Sequence, residues 1–346
     1  MISSRTLLAA WLLFIGGTFS TLAQAPGKVR LKPDVEKFIA QMVQAHKFDE
    51  SALRQMLAPL KVNDNVVKAI NAPATSKPWY EFRNIFLTPT RTSGGVEFWN
   101  ANAEQLDRAR AIYGVPQELI VAIIGVETIY GKRIGNFRVI DALYTLAFEM
   151  PERADYFRSE LEQFLLLTRD NGLDPLAVKG SFAGAIGMPQ FMPTSYRRFA
   201  VDFDSDGKID LWDSVPDIIG SVANYLHYFG WVIGQPIVVP ARISGTDYRQ
   251  IIEKGFKPHM TLAQMLPKGV EPTDAMPEDL PASLFSLDLE EGPDYWLAFN
   301  NFYVITRYNR SKNYAMAVFQ LANAIARERE AQADAASPAS TPPALQ

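Results

Sequence analysis

The chain has 346 residues, 48% of them apolar, which is enough to bury one large core or two modest ones. Its formal charge of −4 is small and its basic residues are scattered, so there is no electrostatic footprint for nucleic acid. With no cysteine, with His46, His227 and His259 far apart, and without a G-x-S-x-G elbow or a phosphate-binding glycine loop, the chain is a poor zinc hydrolase, serine hydrolase or nucleotide enzyme.

At the start, Arg5 precedes the apolar run Leu7 to Ile15 and small residues follow, the layout of a secretory signal too short to span a membrane. Cleavage after Ala23 fits better than after Ala25, because Pro26 would sit just past the second cut. Export without a cysteine implies a soluble or loosely surface-bound protein, with the periplasm as the natural compartment and no transmembrane segment once the signal is removed. Next, Val35, Phe38, Ile39, Met42 and Val43 follow the helical spacing, with Pro33 and Asp34 at the start. Further helical patterns run over Ser51–Leu60, Val96–Tyr113, Pro116–Tyr130, Ala154–Arg169, Pro216–Phe229 and Asn313–Arg327. Gly114, Gly131, Gly172 and Gly230 fall just past such runs, where a left-handed residue can close a helix. From Gln235 to about Arg307 the texture turns β-rich, at Ile237–Val239, Leu284–Leu289, Tyr295–Phe299 and Phe302–Thr306. Residues 331–346 are an alanine, serine, threonine and proline mixture too poor in apolar content to order itself. The expected class is mainly α, with a small β-containing insertion.

Four blocks carry chemistry. In the first, the nearly all-apolar helix from Pro116 to Gly131 holds one carboxylate, Glu127, near its C-terminal end. The helix dipole and the apolar neighbours both disfavour ionisation there, which raises the pKa as a general acid at neutral pH requires. The structural alternative is a buried glutamate paired with Arg133 or Arg153. The second block, Gly180 to Pro193, is a glycine-rich loop in which Ser181 and Gln190 offer hydrogen bonds; a tight packing turn would look the same. The third, Asp202 to Asp213, has acidic residues at the first, third and fifth places (Asp202, Asp204, Asp206), Gly207 at the sixth and Ile209 at the eighth, the spacing of an EF-hand calcium loop. Lys208 would contribute its backbone carbonyl. The closing ligand is Asp213, where a glutamate is usual, or Asp217 on the next helix. In the fourth, Tyr308 and Tyr314 bracket a polar turn before the last helix, where core-edge packing would also place them.

Together and in this order, these blocks resemble the family 3 lytic transglycosylases of bacterial cell walls, the lytic murein transglycosylase B family. The resemblance runs from about Lys32 to Arg327 and includes Ser221-Val222-Ala223-Asn224-Tyr225. The missing lipobox cysteine departs from the membrane-bound members and points to a soluble form. The resemblance implies a goose-type lysozyme-like α core over 111–232 and 295–330, a helical domain over 28–110 and a small β-containing insertion over 235–294. It makes Glu127 the catalytic residue, Ser181 its hydrogen-bonding partner, and Gln190, Tyr225, Tyr308 and Tyr314 groove residues. Arg153 falls near the peptide side of the substrate.

Most glycosidases flank the scissile bond with two carboxylates. Here only Glu127 lies in a catalytic-looking block. The implied reaction protonates the β-1,4 oxygen between N-acetylmuramic acid and N-acetylglucosamine, then closes a 1,6-anhydro ring with the muramoyl C6 hydroxyl, without water. Peptidoglycan glycan strands are the expected partner, cell-wall synthesis proteins are candidate partners, and calcium is the expected structural ion. Two rivals stand: a muramidase that admits water, and a non-catalytic wall-binding protein.

Overall fold

The computed structural model describes residues 31–72 and 77–336. The expected signal segment and residues 337–346 lie outside the described residues. The chain divides into two compact units at Ala58 and Pro59. In the first, α1 (Pro33–His46) buries Val35, Phe38, Ile39 and Met42, the expected stripe, and ends on Lys47 in the left-handed region. Proline suits its first turn because the missing N–H has no intrahelical partner there. The second helix, α2 (Glu50–Leu57), is capped by Asp49, whose carboxylate accepts from the Ala52 N–H at 2.7 Å. It stops short of the expected Leu60.

The second unit opens with α3 (Asp64–Ile70), α4 (Trp79–Phe86), α5 (Pro89–Ala101) and α6 (Ala103–Tyr113). The single helix expected over Val96–Tyr113 is thus two. They part at Asn102, whose side-chain amide donates to the Phe98 carbonyl at 2.8 Å and so competes with the backbone ladder. Next comes α7 (Gln117–Thr128), followed by β1 (Phe137–Arg138), α8 (Val139–Glu149), α9 (Ala154–Asp170), β2 (Lys179–Gly180), α10 (Pro193–Phe199) and α11 (Val215–Tyr228). A helix apolar all round must be buried all round. Accordingly α7 is buried at every position except Glu118 and Glu127.

The β-rich stretch folds as β3 (Val238–Ile243), α12 (Arg249–Ile252), β4 (Met260–Thr261), α13 (Leu262–Met265), β5 (Val270–Pro272), β6 (Pro281–Leu289) and β7 (Gly292–Ala298). Its antiparallel sheet has the order β4-β6-β7-β3-β5, with Leu284 opposite Leu297, over an apolar cluster that includes Ile251, Leu262 and Met265. Because β7 starts at Gly292, the boundary expected between 294 and 295 falls inside a strand.

Two helices close the chain, α14 (Asn300–Tyr308) and α15 (Lys312–Ala336). The strand expected over Phe302–Thr306 is part of α14. Its Val-Ile-Thr run reads as strand by propensity, but Asn301, Phe302, Val304 and Ile305 are buried together on a helix, and tertiary packing overrides the local preference. The tail expected from Ala331 is helical as far as Ala336, carried by alanines that favour helix. α15 packs on α7, α5 and α4, so the last helix backs the one that carries Glu127.

Candidate active site

The last turn of α7 sets the site. After Thr128 the chain leaves the helix through Ile129 and Tyr130, both left-handed, at φ 53° and 56°. Glu127 is therefore held on the final turn, where carbonyls point outward and disfavour a negative charge. Part of the residue still meets solvent. Around its carboxyl, however, the protein is dense enough that desolvation pushes the pKa up to about 7, against a lowering hydrogen bond from Tyr314. That bond is short: the Tyr314 hydroxyl donates to Glu127 Oε1 at 2.5 Å. The ion pairs of the described residues do not include Glu127, so the structural alternative with Arg133 or Arg153 is not realised.

From Tyr314 a row of tyrosines leads away. Its ring lies 6.3 Å from that of Tyr308, nearly parallel, and Tyr308 lies 4.8 Å from Tyr225. Each hydroxyl is fixed: Tyr308 donates to the Pro189 carbonyl at 2.6 Å and Tyr225 to the Arg307 carbonyl at 2.6 Å. Burial and the Glu127 charge both push Tyr308 and Tyr314 well above the usual phenol range. The other charges acting on this pair are tyrosines; no second carboxylate is among them.

The glycine-rich loop faces the same turn. A side chain at Gly180 would meet the Ala185 carbonyl at 2.1 Å, and one at Gly187 the Leu211 carbonyl at 2.5 Å, so backbone packs on backbone there. Ser181 Oγ accepts from the Ala183 and Ala185 N–H groups at 3.2 and 3.0 Å, which leaves its own proton to donate. The hydrogen bond to the Glu127 carboxyl comes from Tyr314 instead. Gln190, at φ 53°, ties its amide nitrogen to the Ile134 and Gly187 carbonyls, both at 2.9 Å. Thr128, which sequence reasoning passed over, joins loop and helix: its hydroxyl donates to the Met188 carbonyl at 2.9 Å and accepts from the Gly131 N–H at 3.0 Å. Its only signal was adjacency to Glu127.

Arg153 lies just before α9, with its guanidinium 5.3 Å from the Tyr156 ring and 4.8 Å from that of Phe157. Also passed over was Glu160, a buried carboxylate of α9 that accepts from the Thr194 N–H at 2.9 Å and so caps α10.

The acidic loop bridges α10 and α11. Carboxylate oxygens of Asp202, Asp204 and Asp217 come within 4.8 Å of one another, while Asp213 is exposed and outside that group. Gly207 is left-handed at φ 89°. Asp202 accepts from the Asp206 and Gly207 N–H groups, at 3.1 and 2.9 Å. Asp217 accepts from the Phe203 and Asp210 N–H groups, at 2.6 and 2.8 Å, and is 1% exposed. Burial is the largest cause of its raised pKa, and the charge of Asp204 adds to it. An all-oxygen donor set around a buried carboxylate suits a hard cation.

Residues 30–323 match the transglycosylase SLT domain family. The membrane-bound lytic murein transglycosylase B of Escherichia coli strain K12 is 46% identical over 316 residues, covering 88% of this chain and 86% of that protein. Among solved structures, the catenated lytic transglycosylase SltB1 of Pseudomonas aeruginosa is 46% identical, with a TM-score of 0.80 over 86% of this chain and 98% of that one. The E. coli lytic transglycosylase Slt35 in complex with calcium is 45% identical, with a TM-score of 0.78 over 86% of this chain and 94% of that one.

Proposed function

Because this chain belongs to the transglycosylase SLT domain family, we propose that it cleaves the β-1,4 bond between N-acetylmuramic acid and N-acetylglucosamine in peptidoglycan without water. The observation that carries the reading is a carboxyl near the end of a buried apolar helix, with its pKa pushed up to about 7 and a tyrosine hydroxyl bonded to it. Glu127 gives its proton to the glycosidic oxygen as the bond from C1 breaks. The acetamido group of the substrate shields the cation at C1. Glu127, now ionised, takes the proton of the muramoyl C6 hydroxyl as that oxygen bonds to C1, so the 1,6-anhydro ring closes and the acid is restored. A group near its working pH serves both halves of this exchange.

Orientation replaces a protein nucleophile. The Tyr308–Tyr314 row supplies flat walls beside the acid, Tyr225 continues them, and the Ser181 proton and the Gln190 amide oxygen are the groups turned to sugar substituents. Arg153 is assigned to the peptide side of the substrate, where a cation suits its carboxylates. The oxygens of Asp202, Asp204, Asp206 and Asp217, with the Lys208 carbonyl, are assigned to a calcium ion, and the grouping favours Asp217 over Asp213 as its closing ligand. Calcium would add stability to the helix–loop–helix. The periplasm, where peptidoglycan lies, is the assigned compartment; no single helix among the described residues is long and apolar enough to cross a membrane.

Digestion of purified sacculi tests the reaction. Mass spectrometry should find muropeptides lighter by one water at the muramoyl end. Reducing ends alone would convert the reading to a hydrolytic muramidase.

A further inference from the structure

Arg91 sits in the first turn of α5, where a cation opposes the helix's own dipole. It is half-buried, and desolvation holds its pKa below the usual value. Neither fact benefits α5. The side chain serves another helix: Arg91 Nε donates to the Gly125 carbonyl at 3.1 Å, and Nη1 donates to the Ile85 carbonyl at 2.7 Å. Gly125 lies on the last turn of α7, and its carbonyl also accepts from the Ile129 N–H at 3.1 Å. The second lone pair of that carbonyl is thus taken by the guanidinium.

The contact is returned. Tyr130 folds back under α7, and its hydroxyl donates to the Arg91 carbonyl at 2.7 Å, with its ring stacked 5.5 Å from Phe98. A Cβ on Gly125 would lie 2.4 Å from that hydroxyl oxygen, so only glycine leaves the slot open. Reaching the slot requires the two left-handed residues Ile129 and Tyr130, a conformation that a β-branched side chain resists. Such a turn persists only where its surroundings hold it: the Thr128 hydroxyl ties it to the glycine-rich loop, and from the side of α5 it is held by Arg91 and the Tyr130 hydroxyl. Glu127 lies between the two clamped points, Gly125 and Tyr130. On its other side it meets the tyrosine hydroxyl at 2.5 Å, a distance that tolerates little drift.

We infer that Arg91 and Tyr130 form a clamp across α5 and α7 that positions the Glu127 carboxyl for proton transfer. They are positioning residues, since neither touches the carboxyl. The inference rests on the reading of Glu127 as the acid, so Glu127→Gln is measured alongside on the same soluble glycan strands. Tyr130→Phe keeps the ring and removes the hydroxyl bond; Arg91→Lys keeps the charge and cannot reach both carbonyls with the same geometry. Each should lower kcat by about tenfold or more with KM unchanged. The alkaline limb of the kcat profile should also move to lower pH, because a loosened carboxyl is better hydrated. The titratable groups facing that carboxyl, Tyr308 and Tyr314, are unchanged in both variants. Should Arg91→Lys not fold, Tyr130→Phe decides alone. A kcat per folded molecule and a pH limb equal to wild type, with only the melting temperature lowered, would overturn the clamp. Turnover by Glu127→Gln would overturn the assignment of the acid instead.

Discussion

With its carboxyl pushed up to about 7 from an ordinary 4.5, Glu127 keeps its proton in the folded chain over a range where the unfolded chain has lost it. Between those values the folded state binds more protons, so the stability that goes with the neutral acid is complete below about 4.5 and is lost as pH rises through 7. Ionising it in place costs on the order of 3 kcal/mol, at 1.36 kcal/mol per unit. Glu127→Gln should therefore melt higher than wild type at pH 8, with the gain vanishing near pH 4, while releasing no anhydromuropeptides. A calorimetric series across pH checks the first half and chromatography the second; equal melting curves at pH 8 would contradict the buried acid. For the wild type, kcat should fall as pH rises through about 7, where the donor proton is lost. Tyr314→Phe removes the bond that holds this carboxyl down, so its alkaline limb should move up in pH while turnover drops. That direction is opposite to the one expected for the Arg91–Tyr130 clamp.

On the scale of elements, the acidic loop joins α10 to α11 through carboxylates that accept backbone N–H groups. Binding a cation only to the folded loop adds about 2.7 kcal/mol at a hundredfold excess over Kd. Millimolar calcium should thus raise the melting temperature by several degrees. Asp217→Asn keeps an oxygen for the Phe203 or Asp210 N–H and should abolish that rise, whereas Asp213→Asn should leave it nearly intact. Melting scans with and without chelator separate the two, and an equal loss in both would place the closing ligand elsewhere. The acidic pattern of the loop was legible because its carboxylates repeat within a dozen residues. That Asp217 rather than Asp213 lies beside Asp202 and Asp204 was not, since it depends on how the first turn of α11 folds back against Phe203.

At the scale of the whole second unit, the sheet and the helical core share the stack of Phe285 on β6 and Phe302 on α14, 4.7 Å apart. Phe285 is 1% exposed, so Phe285→Ala should cost about 3–5 kcal/mol. Calorimetry should show the melting temperature lowered, with the rate on sacculi at low temperature preserved, because the stack lies in a different group from Glu127 and its tyrosines. Local order in the sequence determined a great deal here. The stripe of α1, the all-apolar α7 with its lone carboxylate, the glycine loop and the acidic loop are all patterns within a few turns of chain, which periodicity and spacing encode directly. Where two local signals competed, tertiary packing decided: Phe302–Thr306 became helix because its apolar residues are buried together, and Val96–Tyr113 broke at Asn102 through one side-chain bond. The partner of Glu127 belonged to neither class. Tyr314 lies 187 positions away, and only the packing of α15 against α7 brings hydroxyl to carboxyl, just as only the packing of α5 against α7 brings Arg91 to Gly125. Contacts between distant segments leave no period in the sequence, so the lone carboxylate on its apolar helix could be read from it while the groups packed around that carboxylate required the fold.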